Sequence, residues 1–432
     1  MRGKNMPPSA SSVHFPPEVW NHIFGYLSVS EKCSVRACCK YFKKLIDHWS
    51  LWKDWTVVLS YGNGPYSCRF WDTLRRRKVS SVVMRSTKAK HWSVLSGTLP
   101  ALSSVVVEAL SPQSESFNLT SGFPHLTRLA LRNVSLLLDA NMGSKLHRLT
   151  HLSMCGVTVK PNSDLFLCLP YLRSLTSLVC HNADLFRKGV RVVDTLVALL
   201  PELKHLSLSA KYTCPQVGGP GLGTASSLSS LELIDCSTRP LPEDTLSAIP
   251  SLKSLSVFYK SSLQESLEMS AGLASLRNWL GRLTKLSSLT VVKGLPVSSY
   301  VASIPAGVTS LALVVPGLSS KDLVAVATQV PNLLHLHIDP WPSHLGAHTA
   351  RIPELFPKLR SLRLRQEHVP EEDFLCLHQL QDLQCLEILD RGRNLSGLIE
   401  KFQALTKHRV QVVTSSQRDM FVCPCVSLEL SS

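Results

Sequence analysis

The chain has 432 residues, 44% of them apolar and 18% charged, which excludes an intrinsically disordered polypeptide and supplies side chains for an extended core. A formal charge of +15 favours acidic partners (phosphorylated or acidic proteins, nucleic acid or an anionic membrane surface) without choosing among them. No stretch gives eighteen uninterrupted apolar residues and none follows the basic start MRGKNMPPSASSVH, so neither membrane insertion nor secretion is expected.

Thirteen cysteines, an odd number scattered mostly among apolar positions, then read as reduced core residues of a cytosolic or nuclear protein. Sequons at Asn118, Asn133 and Asn394 would be silent in that setting.

Residues 15–55 are the part of the chain that does not repeat. Pro17 suits a first helical turn, Glu18 lies near the positive end of the helix dipole, and Val19, Trp20, Ile23, Phe24 and Leu27 form one apolar stripe. Ser30 is the expected N-cap of a second helix, in which Val35, Cys38, Cys39, Phe42, Leu45 and Ile46 recur at spacings of three and four. Ser50 is expected to cap a third piece with Leu51, Trp52 and Trp55. About forty residues is near the lower limit for a unit that hides enough apolar surface by itself, so either a partner or the chain that follows must complete it.

This segment resembles the F-box, the motif that docks a protein on the Skp adaptor of SCF-type ubiquitin ligases. Pro16, Glu18, Val19, Ile23, Phe24, Tyr26, Leu27, Cys39, Lys40, Leu51 and Trp52 match the family pattern position by position. Trp20 stands where leucine is usual, Phe42 where tryptophan is usual, and Lys32 where an apolar residue is usual. The first two keep bulk, whereas Lys32 is expected to weaken the adaptor contact. The resemblance implies that Pro16, Glu18, Ile23, Phe24, Leu27, Val35, Cys39 and Phe42 contact the adaptor.

Thr56 to Leu59 then reads as a strand, Gly62 to Pro65 as a turn and Arg69 to Arg77 as a helix, so residues 56–78 form a linking strand-helix unit. The run Arg75 to Lys78 fits a nuclear address or a phosphate clamp, although such a run is more often a solvated helix end.

From Val79 a hexamer recurs thirteen times: an apolar residue, two variable ones, an apolar one, a variable one and an apolar one. Its first anchors are Val79, Leu102, Leu126, Leu149, Leu175, Leu203, Leu228, Leu252, Leu286, Val308, Leu333, Leu359 and Leu383. Their separations average about 25 residues, a period similar to that of leucine-rich repeat proteins. Pro100, Pro124, Pro201, Pro250, Pro331 and Pro357 each stand two residues before an anchor, where proline stops a helix and favours extended chain.

One long gap, holding SLQESLEMSAGLASLRNWLGRL, is expected to form a longer convex helix, and Gly218 to Gly223 a loop. The repeat at Leu175 has a rival register from Leu172. A closing strand is expected at Val410 to Val413, followed by a disordered tail over residues 414–432. Cys423 and Cys425 stand too close together and too isolated for a metal site.

The fold expected is therefore α/β: a leucine-rich repeat solenoid, with a curved parallel sheet and convex helices over residues 79–413, preceded by a small three-helix F-box. If the anchors point inward, the third, fifth and seventh positions of each repeat line the concave sheet. Arg128, Arg132, His335, His337, Arg363 and Arg365 are then candidate contacts to an acidic or phosphorylated target, since guanidinium forks such groups. The arginines could equally serve only to keep the sheet soluble. His335, His337 and Asp339 share a face, yet neighbouring strands offer no fourth ligand, so no metal is expected.

Phosphate loops, serine nucleophile elbows and paired metal half-sites are absent, so no enzyme, no catalytic residue and no cofactor is expected. Aromatics are not interleaved with the basic residues of the predicted sheet, which argues against specific nucleic-acid binding. F-box proteins with leucine-rich repeats are substrate receptors of SCF ubiquitin ligases, joined through the Skp adaptor to cullin and RING subunits. That resemblance implies a non-catalytic receptor in the cytoplasm, with a nuclear pool as an alternative. A scaffold of the same build that binds without degradation is the competing reading.

Overall fold

The computed structural model describes residues 15–416, apart from residues 110–116, 118–121, 139, 161–164, 182–184, 187–191, 210–226, 237–248, 250, 263–268, 341–342 and 391–394. The Gly218–Gly223 loop, the sequons at Asn118 and Asn394, and Cys423 and Cys425 lie outside the described residues.

Each hexamer becomes a strand because its three anchors are buried on one side of an extended segment. The strands are β1 (Thr56–Leu59), β2 (Ser81–Met84), β3 (Ser104–Glu108), β4 (Arg128–Arg132), β6 (His151–Cys155), β8 (Ser177–His181), β9 (His205–Ser209) and β10 (Ser230–Cys236). They continue as β11 (Ser254–Ser262), β12 (Ser288–Gly294), β13 (Ser310–Val314), β14 (His335–Ile338), β15 (Ser361–Arg365), β16 (Cys385–Asp390) and β17 (Gln411–Ser416). All fifteen join one parallel sheet in chain order. Two short strands, β5 (Ser135–Leu136) and β7 (Thr158–Val159), pair beside it.

A parallel neighbour in chain order demands a crossover at every step, and the remaining residues of each repeat supply it. Helices are about 10 Å wide and strands about 4.8 Å apart, so stacking one crossover per strand bends the sheet with its strands on the inner side. The anchors and the helices share one continuous apolar cluster, in which Trp92 and Leu95 of the helix Ala89–Thr98 join Val105, Leu129 and Leu152. This is a leucine-rich repeat solenoid.

Thirteen strands coincide with the thirteen hexamers, and the register at Leu175 prevails over Leu172, whose residue ends a short 3-10 turn. The insertion after β11 carries the helix Met269–Arg282. Two boundaries are corrected. Residues 56–78 are the first turn of the solenoid rather than a link to it, because β1 pairs with β2 from Thr56↔Ser81 to Leu59↔Met84. The last strand runs to Ser416, so residues 414–416 belong to the sheet and not to a disordered tail.

The variable second position of the hexamer also has a structural role. Its hydroxyl donates to the backbone carbonyl one repeat back: Ser103 to Ser80, Thr127 to Ser103, Thr150 to Thr127 and Thr176 to Thr150, at 3.2, 3.1, 3.0 and 3.0 Å. The ladder resumes with Ser229 on Lys204, Ser287 on Lys253 and Thr309 on Ser287. Side chains thus add a second row of bonds beside the sheet.

The N-terminal unit has α1 (Pro17–Gly25), α2 (Val29–Cys38) and α3 (Lys40–Ile46), then a 3-10 turn at Trp49–Leu51. The cap of α2 is Ser28 and not Ser30: its Oγ accepts the Glu31 N–H at 3.3 Å, while Glu31 accepts the Ser28 N–H at 2.7 Å. That capping box also holds the Glu31 carboxyl below its usual range. The expected second helix is broken at Cys39, whose backbone is extended and whose sulfur accepts the Phe42 N–H at 3.3 Å. The third helix is therefore Lys40–Ile46, and Ser50 caps nothing; it bonds the His48 ring at 2.8 Å.

Phe24, Ile46 and Trp52 form the core of this unit, with Trp20, Leu27, Val35 and Phe42 packed around them. Trp55 touches both this core and that of the solenoid. At the seam the Arg77 guanidinium lies 3.7 Å from the centre of the Trp52 ring and 3.3 Å from Asp47, which Arg36 forks at 2.7 and 2.9 Å. Arg36, with Arg77 beside it, holds the Asp47 carboxyl below its usual range against the opposing effect of burial. Ser80 Oγ donates to the Lys53 carbonyl at 2.8 Å, carrying the hydroxyl ladder into the helical unit.

Candidate partner-binding surfaces

The helical unit presents two kinds of apolar side chain. Phe24 is only 3% exposed and belongs to the core, which corrects its expected place on the adaptor surface. Leu27, Val35 and Phe42 are half-buried against that core, while Pro16, Glu18, Ile23 and Cys39 are exposed. The reason is helical phase: Val19 and Ile23, four apart, mark the outer face of α1, Phe15 and Tyr26 flank its two ends, and all four are exposed. Tyr41 and Trp49 are exposed on the same unit. Lys32 does not project a free charge, because its Nζ donates to the Leu51 carbonyl at 3.2 Å and lies 6.0 Å from the Trp52 ring.

The basic run after α4 (Cys68–Arg76) is divided among several tasks. Arg75 bonds Asp72 and the Thr98 carbonyl, Arg77 closes the seam, and Lys78 sits 4.6 Å from the Trp49 ring. Arg76 alone points to solvent without such a contact among the described residues.

On the concave sheet the third positions are exposed or half-buried as expected, and so are the fifth apart from Val83 and Ser207, whereas several seventh positions are not. Arg132, His181, Ser209, Asp339 and Arg365 are all buried, the last only 5% exposed. Arg132 and Arg365 are the last residues of β4 and β15, still in register with Cys155 and Leu389, and their side chains are buried. Arg132 and Arg365 are therefore not open anion contacts. Arg365 instead donates to Asp339 Oδ2 at 3.0 Å and lies 2.8 Å from its other carboxylate oxygen in a buried ion pair, with Glu367 3.9 Å away. Asp339 is thereby withdrawn from the row that His335 and His337 share. Among the described residues no cluster of His, Cys, Asp and Glu could hold a metal ion.

His335 is exposed, and Arg363 is half-buried with Glu387 at 3.4 Å. Burial, with the Arg363 charge adding to it, pushes the His337 imidazole down to about 3. Unfolded, the same ring titrates near 6.5, so below that pH the unfolded chain binds the extra proton and stability falls as pH drops toward about 3. A His337→Gln chain is expected to lose less stability than wild type between about pH 6.5 and 4 in denaturant titrations. Parallel curves would contradict the buried neutral imidazole.

Toward the N-terminal half a polar relay crosses three strands. His181 Nε2 lies 2.6 Å from Ser207 Oγ, which donates to Glu232 at 2.8 Å. A carboxylate only accepts, so Ser207 gives its proton to Glu232 and receives the His181 N–H. A serine nucleophile needs the opposite polarity, its hydroxyl donating to the imidazole. The relay orders the floor and cannot activate Ser207.

Arg128 and His151, adjacent in register on β4 and β6, are exposed. Burial holds the His151 and His205 rings below the usual imidazole range; Arg128 adds to the effect at His151, and Glu232 opposes it at His205. Reading the sequence misses this relay because Ser207 and Glu232 look like any variable position; the signal is their alignment on β9 and β10, Ser207↔Glu232.

No curated protein matches the chain. Among solved structures, an internalin from Listeria monocytogenes aligns at 15% identity over 74% of this chain and 82% of that one, with a TM-score of 0.36. The leucine-rich repeat-containing protein LegL7 from Legionella pneumophila aligns at 13% identity over 82% and 97%, with a TM-score of 0.39, and a structure of the Toll–Spatzle complex of Drosophila at 12% over 81% and 49%, with a TM-score of 0.45. Residues 13–56, the stretch that forms the three helices, match the F-box-like family.

Proposed function

We propose that the chain is the substrate-binding subunit of an SCF-type ubiquitin ligase. The observation that carries this reading is the exposed apolar row of Val19 and Ile23 on α1 with Phe15 and Tyr26 at its ends, in a segment that matches the F-box-like family. A unit whose core is already filled by Phe24, Ile46 and Trp52 has no internal use for that row, and a partner that covers it gains the apolar area. The partner proposed is a Skp-type adaptor, which brings cullin and RING subunits.

The concave sheet then holds the target protein. The seam at Asp47, Arg77 and Trp52 fixes one surface to the other, so a target on the sheet is kept at a set distance from the ligase. Ubiquitin transfer is thereby converted from a bimolecular encounter to an effectively intramolecular one, with no bond chemistry in the receptor itself. Lys32, whose Nζ donates to a carbonyl of its own unit, is proposed to stay turned toward that unit when the adaptor binds. We place this activity in the cytoplasm.

The test is co-purification from cells. Tagged full-length chain is expected to bring down adaptor and cullin together, and ubiquitinated proteins on proteasome inhibition. Recovery of neither subunit, or of adaptor without cullin, would favour a non-degradative scaffold.

A further inference from the structure

The N-terminal half of the concave sheet encloses a cleft of about 610 Å³, lined from Thr56 of β1 to Glu232 of β10. Register fixes its floor. Val83, Val106, Ala130, Ser153 and Val179 stand side by side on successive strands, an almost apolar strip crossing the strand direction. Beside it run the third-position residues, among them Ser104, Arg128, His151 and Ser177. An apolar strip edged by short hydroxyls admits an extended chain laid across the strands, with backbone groups bonded at the edge.

Its charges are not equivalent. Arg85 is occupied by Glu108 at 3.2 Å, and Arg132 is buried. Arg128 is exposed and has no carboxylate partner among the described residues. Burial keeps the flanking His151 and His205 rings short of protons, so they add little positive charge. One uncommitted guanidinium suits one carboxylate, forked by two parallel bonds; a doubly charged phosphate would ask for more cation than this. Glu232 in the same cleft further opposes a dianion.

At the far end Glu232 carries the opposite sign. The strand order β4-β6-β8-β9-β10 places it four strands from Arg128, about 19 Å at about 4.8 Å per strand, the reach of roughly six extended residues. We propose that this cleft binds an extended protein segment with one Asp or Glu side chain forked by Arg128 and, about six residues away, a Lys or Arg side chain held by Glu232. The proposal deepens the reading of the sheet as the target-binding surface and rests on it.

The experiment is selection of a displayed library of random peptides, about twelve residues long, on the immobilised full chain. Wild type is expected to enrich peptides with an acidic and a basic residue about six positions apart. Arg128→Glu, at an exposed position, is expected to bind them at least tenfold more weakly and to select against the acidic residue. Arg128→Gln, which drops the charge and stays polar, should show the same loss, and Glu232→Gln should relax the basic requirement alone. Thermal unfolding that matches wild type separates these effects from misfolding. Absence of enrichment, enrichment without an acidic residue, or binding as tight as wild type by both Arg128 variants would overturn the proposal. Adaptor co-purification by the Arg128 variants reads the ligase assignment separately, because α1 is untouched in them.

Discussion

An Ile23→Asp chain is expected to lose at least about 2 kcal/mol of affinity for a purified Skp-type adaptor, roughly a thirty-fold weaker Kd in calorimetric titration, with thermal unfolding unchanged. Ile23 is 41% exposed and stands midway along the outer row of α1, so a carboxylate there meets water in the free chain and is costly only once a partner covers it. Phe24 supplies the contrast. It stacks on Trp20 at 5.4 Å and meets Phe42 edge-on at 5.6 Å inside the core. Phe24→Ala should therefore destabilise the helical unit by about 3–5 kcal/mol. Equal adaptor affinity in wild type and Ile23→Asp would remove the outer row from the interface.

The second large effect is expected far from that face, at the pair Arg365–Asp339. Its side chains are 5% and 1% exposed, joined at 2.8 and 3.0 Å between β15 and the end of β14. Arg365→Met leaves the Asp339 carboxylate buried without its guanidinium, and the expected cost is about 3–5 kcal/mol, read from denaturant midpoints. Joining it to Asp339→Leu removes the stranded charge and should return most of that loss. A double variant as unstable as the sum of the singles would show that the two residues act separately.

The sheet was legible from the sequence because leucine-rich anchors announce burial directly. A strand must alternate its faces, so thirteen hexamers in near-constant phase become thirteen strands, from Val79 to Leu383. The first and last strands, at Thr56 and Gln411, escape the count because end repeats need only one neighbour and carry weaker versions of the motif. The same alternation misleads at the seventh position. It predicts Arg132 and Arg365 in the open, but at these strand-ending positions the side chains are buried, Arg365 against Asp339.

In the helical unit composition gave the helices but not their break. Cys39 leaves the helix through its backbone, a choice no side-chain pattern near Val35 to Ile46 reveals. The stripe read as one apolar face of α1 is in fact two, since Phe24 turns inward while Val19 and Ile23 turn outward. Which of them faces a partner depends on where α3 and Trp52 lie, and that is tertiary information. The hydroxyl ladder through Ser103, Thr127 and Thr150 was visible as recurring Ser and Thr at one phase, although position two had no assigned role.

Two surfaces are proposed to take separate partners: the outer face of α1 an adaptor and the concave sheet a target. Backbone hydrogen exchange on the full chain, with and without saturating Skp-type adaptor, tests this most directly. Protection is expected to rise within residues 15–55 and to stay unchanged on the strands from β2 to β16. Protection appearing on the concave strands instead, or none in residues 15–55, would contradict it.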